Sequence, residues 1–270
     1  MLTRKIDFHK LGKKTRRDVA DALVAAGRGH IGASYSLVEI LLVLYHGVLR
    51  FNAKDPHWEG RDRMILSKGH GCLTLYAILA DFGFFPMEEL KNFCRADGML
   101  GGHPEHKVPG IEASTGALGH GPSIGVGMAL AAKLDKKDHR IFVVVGDGEC
   151  DEGSVWEAAM HAAKHKLDNF TILVDYNKQQ SYSEVAEVLP LEPFADKWRA
   201  FGFATHEADM DHPERLLKIL SGPKPAGPRA VLCHTIKGKG VSFMERNLKW
   251  HHKVKLSPEE IENIYNELEI

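Results

Sequence analysis

The sequence predicts an α/β protein with a mostly parallel central sheet and helices on both faces. Apolar, β-branched runs such as Ile141–Val145 and Phe170–Val174 do not alternate with polar residues, as is typical of strands buried on both faces. Helical segments separate these runs, which is the pattern of a parallel sheet. The chain has 270 residues, 44% of them hydrophobic, and we find no repeat or linker, so a single domain over 1–270 is predicted.

The first predicted elements are two helices. One covers 14–26 and ends at Gly27. Ser36 and Glu39 have the spacing of a capping box, which predicts a second helix over 36–47. That helix is apolar almost all round, so we expect it to be buried on most faces or against another subunit.

A short strand at 63–67 leads to a predicted helix from Cys72 to Phe82, and Pro86 starts another to about Arg95. The segment 97–123 contains seven glycines among 27 residues and is predicted to be a loop. Loops of that length in a compact domain are usually functional or disordered.

Pro122 is predicted to open a helix over 123–134 whose small residues permit close packing of another helix. Copies of the chain are expected to pair through this face or through helix 36–47. The remaining predicted elements are strands at 141–145, 170–174, 203–209 and 229–236, and helices near 153–166, near 212–220 and after Ser257.

Composition excludes several classes of function. The formal net charge of −1 gives no basic face for nucleic acid or an anionic membrane. The four cysteines form no C-x-x-C pair, which is typical of reduced cytosolic thiols. The N-terminus has no apolar signal core, and the most apolar window is too short for a span and contains Glu39 and His46. A cytoplasmic protein is predicted.

Polar clusters follow two of the predicted strands, Gly146-Asp147-Gly148 after the first and Asp175-Tyr176-Asn177 after the second. Ligands of open parallel sheets bind beyond the carboxyl ends of the strands, where Asp147 and Asn177 converge if the strands are neighbours. A carboxylate, an amide oxygen and a backbone carbonyl suit Mg²⁺ or Ca²⁺ holding a diphosphate. Ordinary turn chemistry is the alternative for these residues. The chain contains no P-loop and no G-x-G-x-x-G after a predicted strand.

Together, these motifs resemble those of a known enzyme family. "GDG" at 146–148 with Asn177 resembles the motif of enzymes that use thiamine diphosphate. "LSKGHG" (66–71), "GGHPE" (101–105) with "STGALGHG" (114–121), and "HTIKGKG" (234–240) followed by Trp250-His251 resemble transketolase in particular. They occur in the family's order over nearly the whole chain, which implies the thiamine diphosphate-binding fold.

The resemblance implies roles for individual residues. Asp147 and Asn177 would bind Mg²⁺, with the Gln179 carbonyl as a third ligand. The diphosphate would be contacted by Gly148, His70 and Lys237, and the cofactor rings by Gly116 and Leu118.

Three histidines, His30, His103 and His251, would line the substrate channel. There they would bind sugar hydroxyls and transfer protons, which suits a side chain that titrates near neutrality. Glu152 would reach the catalytic glutamate of a partner across the interface between subunits, although an acid at a helix start is also explained by the helix dipole.

The chain matches only the first domain of a transketolase, which is more than twice as long. The glutamate and aromatic pocket that serve the aminopyrimidine belong to the absent part. We therefore predict an N-terminal subunit that is inactive alone, completed by a C-terminal subunit of roughly 300 residues, the size of two ordinary domains, in an α2β2 assembly.

Substrate and activity have open alternatives. "KQQSYSEV" after Asn177 and His252 after His251 depart from the family pattern, so a modified or nucleotide-linked sugar is an alternative to the common sugar phosphates. The others are a non-catalytic interaction subunit or a related enzyme, such as deoxyxylulose phosphate synthase or one chain of a 2-oxo acid dehydrogenase.

Overall fold

A five-stranded parallel sheet forms the centre of the protein in a computed structural model, which describes residues 6–251, 253 and 255–269. The strand order is β1-β2-β3-β5-β4, and every pairing is parallel. This confirms the predicted sheet. The strands are β1 Arg63–Leu66, β2 Ile141–Gly146, β3 Phe170–Tyr176, β4 Ala204–Asp209 and β5 Arg229–His234.

Helices cover both faces of the sheet, as predicted, because successive buried residues of each strand point to opposite sides. Phe142 and Val144 of β2 pack into the core formed with α1, α3 and α4, whereas Val143 and Val145 pack with α6 and α8. The helices are α1 Phe8–Ala26, α2 Ile31–Tyr35, α3 Val38–Val43, α4 Cys72–Asp81, α5 His120–Leu134, α6 Gly153–Lys164, α7 Val185–Val188, α8 Phe194–Ala200, α9 Pro213–Ser221 and α10 Pro258–Glu267. Short helical turns of other types lie at Leu44–Val48, Gly69–Gly71, Met87–Asn92, Gly148–Asp151 and Leu248–Trp250.

The predicted capping box of Ser36 and Glu39 is wrong. The Ser36 hydroxyl donates to Asp175 Oδ2 at 2.6 Å, and the Glu39 carboxylate pairs with Arg16 at 2.8 Å in the core. Both side chains are bound by distant partners, so neither caps a helix. By contrast, the box of Ser257 and Glu260 is present at the start of α10.

Two predicted helix boundaries also differ. Helix α1 begins six residues before the predicted start at 14, where the Asp7 side chain accepts a hydrogen bond from the Lys10 amide at 3.0 Å. The helix predicted from Pro86 is only the short 3-10 segment Met87–Asn92.

The most apolar helical stretch, Ile31–Val48, has the length and hydropathy of a membrane span, but 83% of it is buried inside the protein. Its partners are α1, α4 and α9 of the same chain. Burial against another subunit is thus excluded for this stretch, and pairing of copies through helix 36–47 is wrong, because that helix has no free apolar face.

Candidate active site

The two polar clusters meet at the carboxyl edge of the sheet. Strands β2 and β3 are neighbours with Gly146 opposite Asp175, and the Asp147 amide donates to the Asp175 carbonyl at 3.2 Å. A cavity of about 250 Å³ opens at this edge. Nine residues with predicted site roles line it: His30, His70, Leu118, Asp147, Gly148, Asn177, Gln179, Lys237 and His251.

Asp147 is the buried carboxylate of the cavity, with 2% of its surface exposed. It accepts hydrogen bonds from the amides of Gly148 at 2.8 Å and Lys178 at 2.5 Å. Burial and then the negative charge of Asp175 raise the pKa of Asp147 to about 7. The positive charge of Lys68 opposes this shift but does not outweigh it. The Gly148 N–H, expected at the diphosphate, is directed to Asp147 here.

A lysine side chain contacts one of the three predicted metal ligands. Lys237 Nζ donates to the Gln179 main-chain carbonyl at 3.0 Å and lies 2.6 Å from His251 Nδ1. Burial, and then the positive charge of Lys68, lower the pKa of Lys237 to about 8. The predicted carbonyl ligand thus already accepts a hydrogen bond from a lysine side chain.

The donor set fits a hard cation. The Asn177 side-chain oxygen accepts from the Gln179 amide at 3.0 Å, beside the Asp147 carboxylate. Within the described residues, no three His, Cys, Asp or Glu side chains are grouped to hold a metal. A bound Mg²⁺ would therefore depend on one carboxylate, neutral oxygens, and oxygens of a ligand or water, which is the usual way in which proteins hold this ion with phosphates.

Three imidazoles line the same cavity, and one of them, His251, contacts Lys237. The ring centroids of His30, His70 and His251 are 5.6, 6.4 and 6.1 Å apart in pairs. Burial, followed by the charge of Lys68, lowers the pKa of His70 well below its ordinary value. His70 is therefore neutral at pH 7, with one nitrogen able to donate and the other able to accept.

Lys68 lines the cavity but was missed as a site residue. Its side chain is 3% exposed and pairs with the fully buried Asp175, which also accepts from the hydroxyls of Ser36 and Thr235. Burial raises the pKa of Asp175, but Lys68 and the hydroxyl donors outweigh it and hold that pKa below its ordinary value. Lys68 is the second residue after β1, so it lies at the same carboxyl edge of the sheet as Asp147 and Asn177. That position was the signal available in the sequence.

The remaining predicted residues do not line this cavity. His103 lies in the 97–119 loop against Gly116, where a side chain is disfavoured because φ is +143° and a Cβ would lie 3.0 Å from the His103 ring. Glu152 occupies the N-cap position of α6 without a side-chain capping bond, exposed and beside Gly119. His252 lies outside the described residues.

A parallel α/β fold with two lysines, neutral histidine and hard oxygen donors at the strand ends defines a domain that binds an anionic cofactor. Residues 9–269 match the family described as transketolase, thiamine diphosphate binding domain. The chain belongs to this family.

Its relatives include components of two divided enzymes. One component of the apulose-4-phosphate transketolase of Phocaeicola vulgatus is 41% identical, with 90% of this chain and 87% of that protein aligned. The 6-deoxy-6-sulfo-D-fructose transketolase subunit SqwG of a Clostridium species is 40% identical over 96% of this chain and 95% of its own. The crystal structure of Campylobacter jejuni transketolase superposes with a TM-score of 0.88 and 31% identity, covering 98% of this chain but 43% of that one.

Proposed function

We propose that this chain, as a single domain, is the N-terminal subunit of a cytoplasmic two-chain transketolase that uses thiamine diphosphate and Mg²⁺. The observation that carries the proposal is the convergence of nine residues with predicted site roles, from separate parts of the sequence, on one cavity. In the reaction, the C2–C3 bond of a ketose breaks, the shortened aldose leaves, and the two-carbon ketol unit forms a new bond to the aldehyde carbon of an acceptor.

The residues at the sheet edge would hold the cofactor. Asp147, Asn177 and the Gln179 carbonyl would bind the metal, and Lys68, Lys237 and His70 would face the diphosphate. Gly116 and Leu118 would contact the rings. When bound, thiamine diphosphate supplies the carbanion that attacks the ketose carbonyl.

The histidines would act on the sugar. The ring centroids of His30 and His251 lie 5.6 and 6.1 Å from that of His70, which would donate to the diphosphate. His30 and His251 would therefore face the sugar beside the cofactor. With His103 from the loop, they would bind hydroxyls and transfer protons between oxygen atoms of donor and acceptor.

A second chain would complete the site. This chain spans 43% of the Campylobacter transketolase, and two relatives are named as subunits. Helices α5 and α6 pack side by side and expose Ile124, Leu134 and Met160, and Leu118, two residues before α5, is exposed at the cavity. We assign this surface to pairing of copies and to binding of the C-terminal subunit in an α2β2 assembly, with Glu152 beside it.

The substrate would be a sugar or sugar phosphate. The relatives are named for apulose-4-phosphate and 6-deoxy-6-sulfo-D-fructose, which are modified sugars. Gln179, Gln180 and Ser181 of the departing segment line the cavity, so a modified donor is the second candidate.

The test is co-purification of the tagged chain from its native cells with thiamine diphosphate and Mg²⁺, followed by mass analysis of protein and cofactor. A stoichiometric second chain with bound cofactor and ketose-dependent transfer to an aldose is expected. Asp147→Ala should lose Mg²⁺-dependent cofactor retention. Wild-type retention in that variant, or recovery of the chain without partner and cofactor, would refute the proposal.

A further inference from the structure

Glu149 is a buried carboxylate, 2% exposed, that joins three separate segments beside the cavity. Its Oε1 atom accepts from the Ser67 hydroxyl at the end of β1 and from the Gly119 amide at 2.9 Å. Its Oε2 atom accepts from the Gly146 amide at 3.1 Å. Burial of a carboxylate carries a desolvation cost, and these three hydrogen bonds offset it.

Gly119 is the residue on which these contacts converge. It ends the 97–119 loop and begins α5 with a φ of +81°. Its carbonyl accepts from the Ser154 hydroxyl of α6 at 3.0 Å, so both sides of the residue are held. Two residues later, the Gly121 amide donates to Ser67 Oγ at 3.1 Å. The start of α5 is therefore tied to β1 and β2.

Leu118 precedes this anchored glycine and lines the cavity with 37% of its surface exposed. The Gly119 N–H that donates to Glu149 belongs to the peptide unit between Leu118 and Gly119. The carboxylate therefore fixes the orientation of this peptide unit and, with it, the backbone position of Leu118. The groups assigned above to the diphosphate, namely Asp147, Lys68 and His70, would make their contacts with other side-chain atoms of the cavity.

We propose that Glu149 is a positioning residue: it sets the cofactor-facing end of the 97–119 loop and thereby the affinity for the rings, not the diphosphate, of the bound cofactor. The inference about the rings rests on the proposed function, but the anchoring of the loop does not.

Glu149→Gln tests the anchor selectively. If the amide oxygen faces Gly146, the bond with Ser67 reverses direction, because the amide nitrogen donates to Ser67 Oγ, and the Gly119 bond is lost without replacement. The reverse orientation places the nitrogen against the Gly146 N–H without an acceptor, so the first is favoured. Ser154→Ala removes the hydroxyl that donates to the Gly119 carbonyl. The matched control is Glu262→Gln, because Glu262 is an exposed acid on α10.

The first readout needs no cofactor. Hydrogen exchange of the peptide covering 114–121, in the chain with its co-purified partner or alone, should rise about tenfold in Glu149→Gln, with β3 unchanged. Ser154→Ala should give a smaller rise, and Glu262→Gln none. Unchanged exchange at 114–121, or a uniform rise over the whole chain, would overturn the inference.

The second readout compares two ligands of the complex in Mg²⁺. Glu149→Gln should weaken thiamine diphosphate about tenfold, while inorganic diphosphate binds within about twofold of the wild type. Equal losses for both ligands would show that Glu149 serves the diphosphate end and would overturn the assignment. If the wild type binds no thiamine diphosphate, the proposed function fails, and the exchange result still decides the anchor.

Discussion

The ion pair of Lys68 and Asp175 offers the sharpest test of how the site is held. The Lys68 and Asp175 side chains are 3% and 0% exposed, so solvent does not screen the pair. In Asp175→Asn the side-chain amide keeps the shape of the carboxylate and can still bond the hydroxyls of Ser36 and Thr235. What disappears is the negative charge beside a buried ammonium.

Breaking a buried pair by removing one partner costs about 3–5 kcal/mol, because the other charge is left uncompensated. We expect the free energy of unfolding at pH 7 to fall by about 3 kcal/mol, at the low end of that range, since Asn retains the hydroxyl contacts. Lys68→Met in the same background removes the stranded charge and should recover all but about 1 kcal/mol.

The assay is urea unfolding of the wild type, both single variants and the double variant, with circular dichroism to follow the sheet and helices. The double-mutant cycle separates the coupling from the loss of packing. A loss below about 1 kcal/mol in Asp175→Asn, or the absence of coupling, would show that Lys68 is balanced by another anion such as Asp147 and would refute the reasoning.

Three further predictions use matched pairs or pH. Gly119→Ala should lower the free energy of unfolding by about 1–2 kcal/mol, because φ is +81° and the new Cβ would lie 2.4 Å from Ser154 Oγ. Gly127→Ala, within α5 and with open space around it, should raise the free energy of unfolding by about 0.5–1 kcal/mol. Thermal unfolding measures both. Ile124→Glu should prevent co-purification of the second chain without changing the unfolding temperature. The control is Val24→Glu, at a similarly exposed position on α1, which should still co-purify with the second chain. Retention of the partner by Ile124→Glu would refute the assigned surface. Burial raises the pKa of Asp62, but Arg140 and Arg50 outweigh burial and hold that pKa below its ordinary value. The stabilisation of the fold by ionised Asp62 is therefore fully present above the ordinary carboxyl pKa and is lost as pH falls through the lower pKa of the folded protein. Asp62→Asn should flatten this acid side of the stability profile, measured by urea midpoints between pH 3 and 7, roughly the range of carboxyl titration.

Sequence reasoning worked best where the signal is local. Strands β2 and β3 were predicted because their apolar runs do not alternate, and the end of α1 because Gly27 favours a left-handed cap. The short helices α7 and α8 were not predicted at all. Ser36 was misread as a cap because its hydroxyl is bound by Asp175, 139 positions away.

The same limit applies to the site. Asp147 and Asn177 were found because both directly follow strands, a feature visible in the chain itself. Lys68 and Glu149 escaped notice because charged side chains are usually exposed, and only their partners, 107 and 82 positions away, explain why they are buried.

The sequence by itself determined the class of fold and the residues that carry the cofactor motifs, because strand composition and the polar groups at strand ends are properties of neighbouring residues. Only the tertiary structure decided that β3 lies between β2 and β5, that Lys237 contacts the Gln179 carbonyl, and that helix 36–47 is enclosed by its own chain. Each of these depends on contacts between segments that are distant in the sequence. Polar side chains that become buried there form hydrogen bonds with partners that the local sequence does not reveal.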